Sequence, residues 1–178
     1  MEKSFVFAGF GGQGVILAGK LLAQAGADYG LQVTWLPSYG PEMRGGTANC
    51  TVVLSGEPIS SPVVDNPTVL VAMNLPSLDR FESTVAEGGT ILVNSSLIAR
   101  PTERNDVRAL SVPANDIAAS LGNSQAANMV ALGAVIKATG IIQLELIKST
   151  MTRMLSHKDS AKLIAVNKQA LDAGYNAV

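Results

Sequence analysis

Residues 7–22 read FAGFGGQGVILAGKLL, in which Gly9, Gly11 and Gly14 satisfy G-x-G-x-x-G behind the apolar run Phe5-Val6-Phe7-Ala8. Such a pattern folds as a buried strand, a tight turn and the start of a helix. The helix N-terminus so made leaves backbone N–H groups without intrahelical partners, and these can hold an anion. The motif therefore restricts the chain to α/β architectures. It does not by itself say whether the turn binds a nucleotide or only packs.

Periodicity extends this opening along the chain. Residues 4–8 predict a strand and 12–29 a helix, with Val15, Leu17, Ala18, Leu21, Leu22 and Ala25 inward and Lys20, Gln24 and Asp28 outward. Gly30 is the left-handed stop, and 31–36 predict a second strand, so that the order is that of a parallel α/β unit. The stretch PSYGPEMRGGTA then ends the strand, because its prolines and glycines suit neither strand nor helix. Further strands are predicted at 49–54, 69–73, 90–94 and, as the last, 108–112. Helices are predicted at 75–86, 114–121, 125–139, 143–155 and 159–173, the last ending at Gly174. Residues 125–139 lack a polar face, which predicts burial on more than one side. The expected fold is a three-layer α/β/α Rossmann-like open sheet, mostly parallel, with a helical C-terminal third. No linker or repeat interrupts it, so 1–178 are read as a single domain.

Charged residues make up only 15% of the chain while hydrophobic ones make up 47%. The usual charged share is about a quarter, so part of the surface is expected to be covered by other chains. A net charge of −1 offers no footprint for nucleic acid or an anionic membrane. The longest apolar run, 129–136, is broken by Gly133 and is too short to span a bilayer. Met1-Glu2-Lys3-Ser4 leads straight into a strand, which predicts no signal peptide and a cytoplasmic location. Cys50 is the only cysteine, which excludes an internal disulfide and a zinc site or iron–sulfur cluster built from this chain alone.

A dinucleotide site needs an acid at the tip of the second strand, and Thr34-Trp35-Leu36-Pro37-Ser38 has none. Glu42 comes too late, and Arg44 replaces it only if it folds back. The glycine turn is then either a close-packed connection or a phosphate holder, with Gln13 expected to point out of it. The second loop, SYGPEMRGGTANC, is long for a compact domain, and such loops carry function. Both loops are expected to leave the carboxyl ends of neighbouring strands, which brings Tyr39, Glu42, Met43 and Arg44 beside Gln13. Arg44 can grip a phosphate or carboxylate with its planar fork, or brace the loop against Glu42. Gly45 and Gly46 behind it allow close backbone approach. His157 is read as solvated or capping, Cys50 as an inert buried thiol, and Asp65, Asp79 and Asp116 as turn or helix-start residues. No catalytic set emerges.

The two motifs GFGGQGVILAGKLLAQA and PSYGPEMRGGTANCTVVLS, with PVVDNPTVLVAMNLPSLDRF and TILVNSSLI after them, resemble the gamma subunit of the 2-oxoacid:ferredoxin oxidoreductases along the whole chain. The 2-oxoglutarate and branched-chain types resemble this short form more than the pyruvate enzymes do. The resemblance implies a complex that oxidatively decarboxylates a 2-oxoacid to acyl-coenzyme A and carbon dioxide while reducing ferredoxin. It implies that thiamine diphosphate, Mg2+ and [4Fe-4S] clusters lie on partner subunits, the partners being alpha and beta chains with a delta subunit left open. This chain alone would bind no cofactor and be inactive, and coenzyme A would be a substrate of the assembly. The family-motif positions are Gly11, Gly12, Gln13 and Gly14, with Tyr39, Gly40, Glu42, Met43, Arg44, Gly45 and Gly46. They are expected to line the edge where the thiamine-bound intermediate meets coenzyme A. The other readings are a stand-alone NAD(P)-binding oxidoreductase and a domain that serves assembly only.

Overall fold

Alternate residues of the first strand feed two different cores. Phe5 and Phe7 enter a large cluster with Cys50, Val52 and Leu54, whereas Val6 and Ala8 enter a smaller one with Leu70, Ala72, Leu78 and Ile91. A strand apolar at every position is therefore buried on both faces, as expected of a central strand in an α/β sheet. The structure is a computed structural model and describes residues 2–40, 46–156 and 160–178.

Its strands are β1 (Glu2–Phe10), β2 (Gln32–Tyr39), β3 (Thr47–Ser55), β4 (Val69–Ala72), β5 (Thr90–Asn94) and β6 (Arg108–Val112). They form one six-stranded sheet in the order β2-β3-β1-β4-β5-β6. β1, β4, β5 and β6 pair in parallel, while β3 runs antiparallel to both β1 and β2. The Rossmann-like, mostly parallel reading holds. One detail is corrected: β2 does not neighbour β1, because β3 folds back from it as a hairpin and inserts between them. β2 also continues through Pro37 to Tyr39, beyond the predicted break. An edge strand tolerates proline because one side of its backbone has no strand to bond.

The helices are α1 (Val15–Asp28), α2 (Leu75–Phe81), α3 (Ala114–Ser120), α4 (Ala127–Thr139), α5 (Leu144–Met154) and α6 (Ala161–Asn176). α1, α3, α4, α5 and α6 contribute to the larger core, and Leu78 of α2 to the smaller. α1 starts at Val15 rather than residue 12 because Gly12 and Gly14 have φ of 93° and 73°. Asn74 caps α2, its side chain accepting from the Ser77 N–H at 2.9 Å. The predicted single helix after it becomes α2 followed by a 3-10 turn, Glu82–Thr84. α4 is buried from Ala127 to Ile136, as its lack of a polar face predicts.

Gly174 does not end the last helix. It lies inside α6 and lets that helix meet α4, since a Cβ there would stand 1.8 Å from the Val130 carbonyl oxygen. Asp28 at the C-terminal end of α1 opposes the helix dipole. It accepts from the Thr150 hydroxyl at 2.7 Å and pairs with Arg153, and these bonds hold its carboxyl below the ordinary range.

On the smaller core's rim, Glu82 is buried and receives the Arg100 guanidinium at 3.0 Å, the Thr102 hydroxyl at 2.5 Å and the Glu103 N–H at 2.5 Å. Burial pushes its pKa up, but these donors outweigh burial and hold it below its ordinary 4.5. A depressed carboxylate contributes stability that is present above the unfolded pKa and lost as pH falls through the folded one. Glu82→Gln is expected to cost about 2 kcal/mol near neutral pH, with the gap to the native chain closing in acid. Chemical denaturation of both chains between about pH 7 and about pH 3 checks this. A constant gap would contradict it.

Candidate functional site

The glycine turn is made where β1 runs out. Gly11 donates its N–H to the Gly46 carbonyl at 2.8 Å, which ties the turn to the β2–β3 hairpin. Gln13 N–H closes the turn onto the Phe10 carbonyl at 3.1 Å, and the left-handed Gly14 forms the N-cap of α1 with no side chain to bond the first-turn N–H groups. Beside this turn lies a cleft of about 510 Å3, lined by Gly11, Gly12 and Gly14 on one side and by Trp35, Tyr39, Gly40, Gly46 and Thr47 on the other. Ile16, Leu17 and Lys20 of α1 close its wall.

Both predicted loops therefore do meet on one edge of the sheet. They reach it through β3 rather than as direct neighbours, because the hairpin carries Thr47 opposite Phe10 and Ala48 opposite Tyr39. Of the candidate residues, Gly11, Gly12, Gly14, Tyr39, Gly40 and Gly46 come together in this cleft. Glu42, Met43, Arg44 and Gly45 lie outside the described residues, as does His157.

Gln13 is the correction. Its side chain does not point out of the turn but back into the protein, toward the ends of β1 and β4. Its Oε1 accepts from the Phe10 N–H at 2.6 Å and from Asn74 Nδ2 at 3.1 Å, and its Nε2 donates to the Met73 carbonyl at 3.3 Å. This occupies the crevice between β1 and β4, where the strand order reverses and where open α/β sheets commonly bind ligand. The space remaining there is about 140 Å3. Small-molecule pockets usually span about 300–1,000 Å3, so a dinucleotide does not fit. The strand beside β1 on its other side is the antiparallel β3, so on that side no parallel strand tip stands next to β1 to hold a ribose.

The cleft is mostly apolar, and among the described lining residues Lys20 alone is charged. Its ammonium stands 5.9 Å from the centre of the Trp35 ring, within range of a cation–π contact. Tyr39 is 62% exposed and Leu17, predicted inward, is 37% exposed. Among the described residues, a single cation, uncapped helix N–H groups and aromatic walls without a carboxylate suit a ligand with an anionic group on an apolar body. Trp35 and Lys20 carry no local signal that sequence reading could use, because they meet only when α1 packs on the hairpin. The Asn74-Leu75-Pro76 start of α2 does carry a local signal, and the helix begins at the predicted Leu75, but nothing local shows that Asn74 also reaches Gln13.

Cys50 lies beneath the cleft, fully buried, its thiol donating to the Val15 carbonyl at 3.5 Å. Burial pushes its pKa up to about 12. A soluble disulfide reagent near about pH 8 is therefore expected to leave Cys50 unmodified in the folded chain and to label it on unfolding. Rapid labelling of the native chain would contradict this. Among the described residues no group of three His, Cys, Asp or Glu stands together as a metal site, and no helix is long and apolar enough to cross a membrane.

The profile of the pyruvate ferredoxin/flavodoxin oxidoreductase family matches residues 4–177. Ketoisovalerate oxidoreductase subunit VorA of Methanothermobacter marburgensis is 47% identical over 175 residues, which cover 97% of this chain and 36% of VorA. The chain thus spans about a third of the length of that relative. Among solved structures, the gamma subunit of the keto/oxoacid ferredoxin oxidoreductase from Geobacter sulfurreducens superimposes with a TM-score of 0.83 at 28% identity, covering 98% of this chain and 97% of that one. The 2-oxoglutarate:ferredoxin oxidoreductase from Magnetococcus marinus, solved with 2-oxoglutarate, coenzyme A and succinyl-CoA bound, gives 0.90 at 26% identity, covering 99% of this chain and 31% of that one.

Proposed function

The chain belongs to the pyruvate ferredoxin/flavodoxin oxidoreductase family, and on that premise we propose that residues 1–178 act as one gamma-type domain of a cytoplasmic, multi-subunit 2-oxoacid:ferredoxin oxidoreductase. The assembly would convert a 2-oxoacid, coenzyme A and two oxidised ferredoxins into acyl-coenzyme A, carbon dioxide, a proton and two reduced ferredoxins. Thiamine diphosphate, Mg2+ and [4Fe-4S] clusters would sit on partner subunits, namely alpha and beta chains and a delta chain in a complex that has one. A single cysteine cannot hold a cluster alone, and among the described residues the cleft lining offers no carboxylate for Mg2+.

The observation that carries this reading is the cleft, which brings Gly11, Gly12, Gly14, Tyr39, Gly40 and Gly46 around one lysine with no carboxylate among the described lining residues. Coenzyme A pairs phosphates with an apolar arm, and the cleft pairs helix N–H groups and Lys20 with apolar walls. In this role the chain orients coenzyme A and excludes water, and the bond-making groups come from elsewhere.

Affinity purification from the host under anaerobic conditions is expected to bring down chains with iron–sulfur absorbance and thiamine diphosphate. In that complex, Tyr39→Ala and Arg44→Ala are each expected to raise the KM for coenzyme A about tenfold while the subunits stay together. Unchanged kinetics with intact assembly would leave a scaffold only. A lone, colourless chain that binds NAD(H) would sink the proposal.

A further inference from the structure

We infer that Gln13 is a positioning residue: its carboxamide, held by Asn74, sets the place of the glycine turn at the wall of the cleft. The inference rests on the cleft being the coenzyme A site proposed above. A turn needed only to join β1 to α1 would be served by glycines over an apolar plug. Here the crevice below the turn holds instead an amide with both of its polar atoms engaged. The acceptor oxygen fixes Phe10, the last residue before the turn, and the donor nitrogen fixes the Met73 carbonyl just past β4. Asn74 closes the link, because its other end caps α2 through the Ser77 N–H. Space is reserved for this rotamer, since a Cβ on Gly9 would stand 2.6 Å from Gln13 Oε1.

The far end of the turn is gripped as well. Asn128 of α4 donates to the Gly14 carbonyl at 3.0 Å, and a Cβ on Gly14 would stand 2.3 Å from its Nδ2. Neutral amides thus hold the turn at both ends, while Gly11, Gly12 and Gly14 stay at the cleft wall. Glutamine alone supplies a donor and two acceptor sites at this reach; glutamate would set a carboxylate against the Met73 carbonyl, and methionine would fill the volume without a bond.

The test uses Gln13→Met, Gln13→Glu and Tyr39→Ala. Amide exchange is read in the full-length chain, and kcat and the KM for coenzyme A in the reconstituted complex. Gln13→Met is expected to speed exchange at residues 10–14 and to raise KM about tenfold, with kcat changed less. Gln13→Glu keeps both accepted bonds but sets a carboxylate against the Met73 carbonyl, and should recover only part of the exchange protection and of the KM. Should Gln13→Met not fold, Asn74→Ser cuts the link to Gln13 while keeping a cap for α2, and it should give the same split. If Tyr39→Ala raises KM and Gln13→Met does not, the positioning role is wrong and the cleft reading stands. If neither raises KM although exchange speeds up, the cleft reading fails and the inference falls with it. Equal loss of KM and kcat in Gln13→Met and Gln13→Glu, with a lowered midpoint of unfolding, would mark a structural role only and overturn the inference.

Discussion

Gly174→Ala is expected to lower the thermal midpoint by about 10 °C, a cost of about 3 kcal/mol or more for a chain of this size. The added Cβ would fall 1.8 Å from the Val130 carbonyl oxygen and 2.6 Å from its carbon. Both are backbone atoms of α4, so no rotamer change relieves the clash and the two helices must separate. The contact is reciprocal: a Cβ on Gly133 of α4 would stand 2.1 Å from the Leu171 carbonyl oxygen of α6. Gly133→Ala should therefore do comparable damage. The double variant should cost less than the sum, because one separation of the helices relieves both clashes. Gly56→Ala, with nothing within 4 Å of the new carbon, is the control and should stay within about 1 kcal/mol of native. Additive losses, or a Gly174→Ala chain as stable as the control, would mean that α4 and α6 do not pack through these glycines.

Asn94→Asp is expected to destabilise the chain by about 3 kcal/mol near neutral pH and by much less in acid. Asn94 is 0% exposed at the end of β5. Its Nδ2 donates to the Met73 carbonyl at 3.3 Å and to Asn115 Oδ1 at 2.7 Å, and its Oδ1 accepts from the Ala114 N–H at 3.1 Å. Aspartate keeps the last bond and turns the first two into contacts between oxygens. Burial and those oxygens should raise its folded pKa above the unfolded value of about 3.9. The deficit is then small below the unfolded pKa, grows as pH rises to the folded pKa, and is constant beyond it. Asn94→Leu removes the bonds without adding a charge and should show a deficit of about 2 kcal/mol that does not vary with pH. Denaturant titrations of both variants at about pH 4 and about pH 7 decide the matter. A pH-independent deficit in Asn94→Asp would show that the carboxyl escapes to solvent.

Much of the fold was legible because it is local. The all-apolar run before the glycines, the polar stripe of Lys20, Gln24 and Asp28, and the stop at Gly30 each report on a few neighbouring residues, and each stands where expected. The family motifs likewise marked the two loops that meet in the cleft, although part of the second lies outside the described residues. Three things were not legible. Local propensity read Pro37 as a stop, but an edge position let β2 run on. Gly174 looked like a helix end, yet its missing side chain serves a helix that follows in space, not in sequence. Gln13 looked free because its partners, Met73 and Asn74, lie some sixty positions away.

The amino-acid sequence by itself determined most of the elements, their α/β class and the two glycine-rich loops that border the cleft, since backbone propensity and hydrophobic period act over one or two turns of chain. The tertiary structure decided that β3 lies between β1 and β2, that Lys20 faces Trp35, and that Gln13 fills the crevice a dinucleotide would need. Those outcomes depend on which distant segments pair and on the space left between them, and that is set only when the whole core closes.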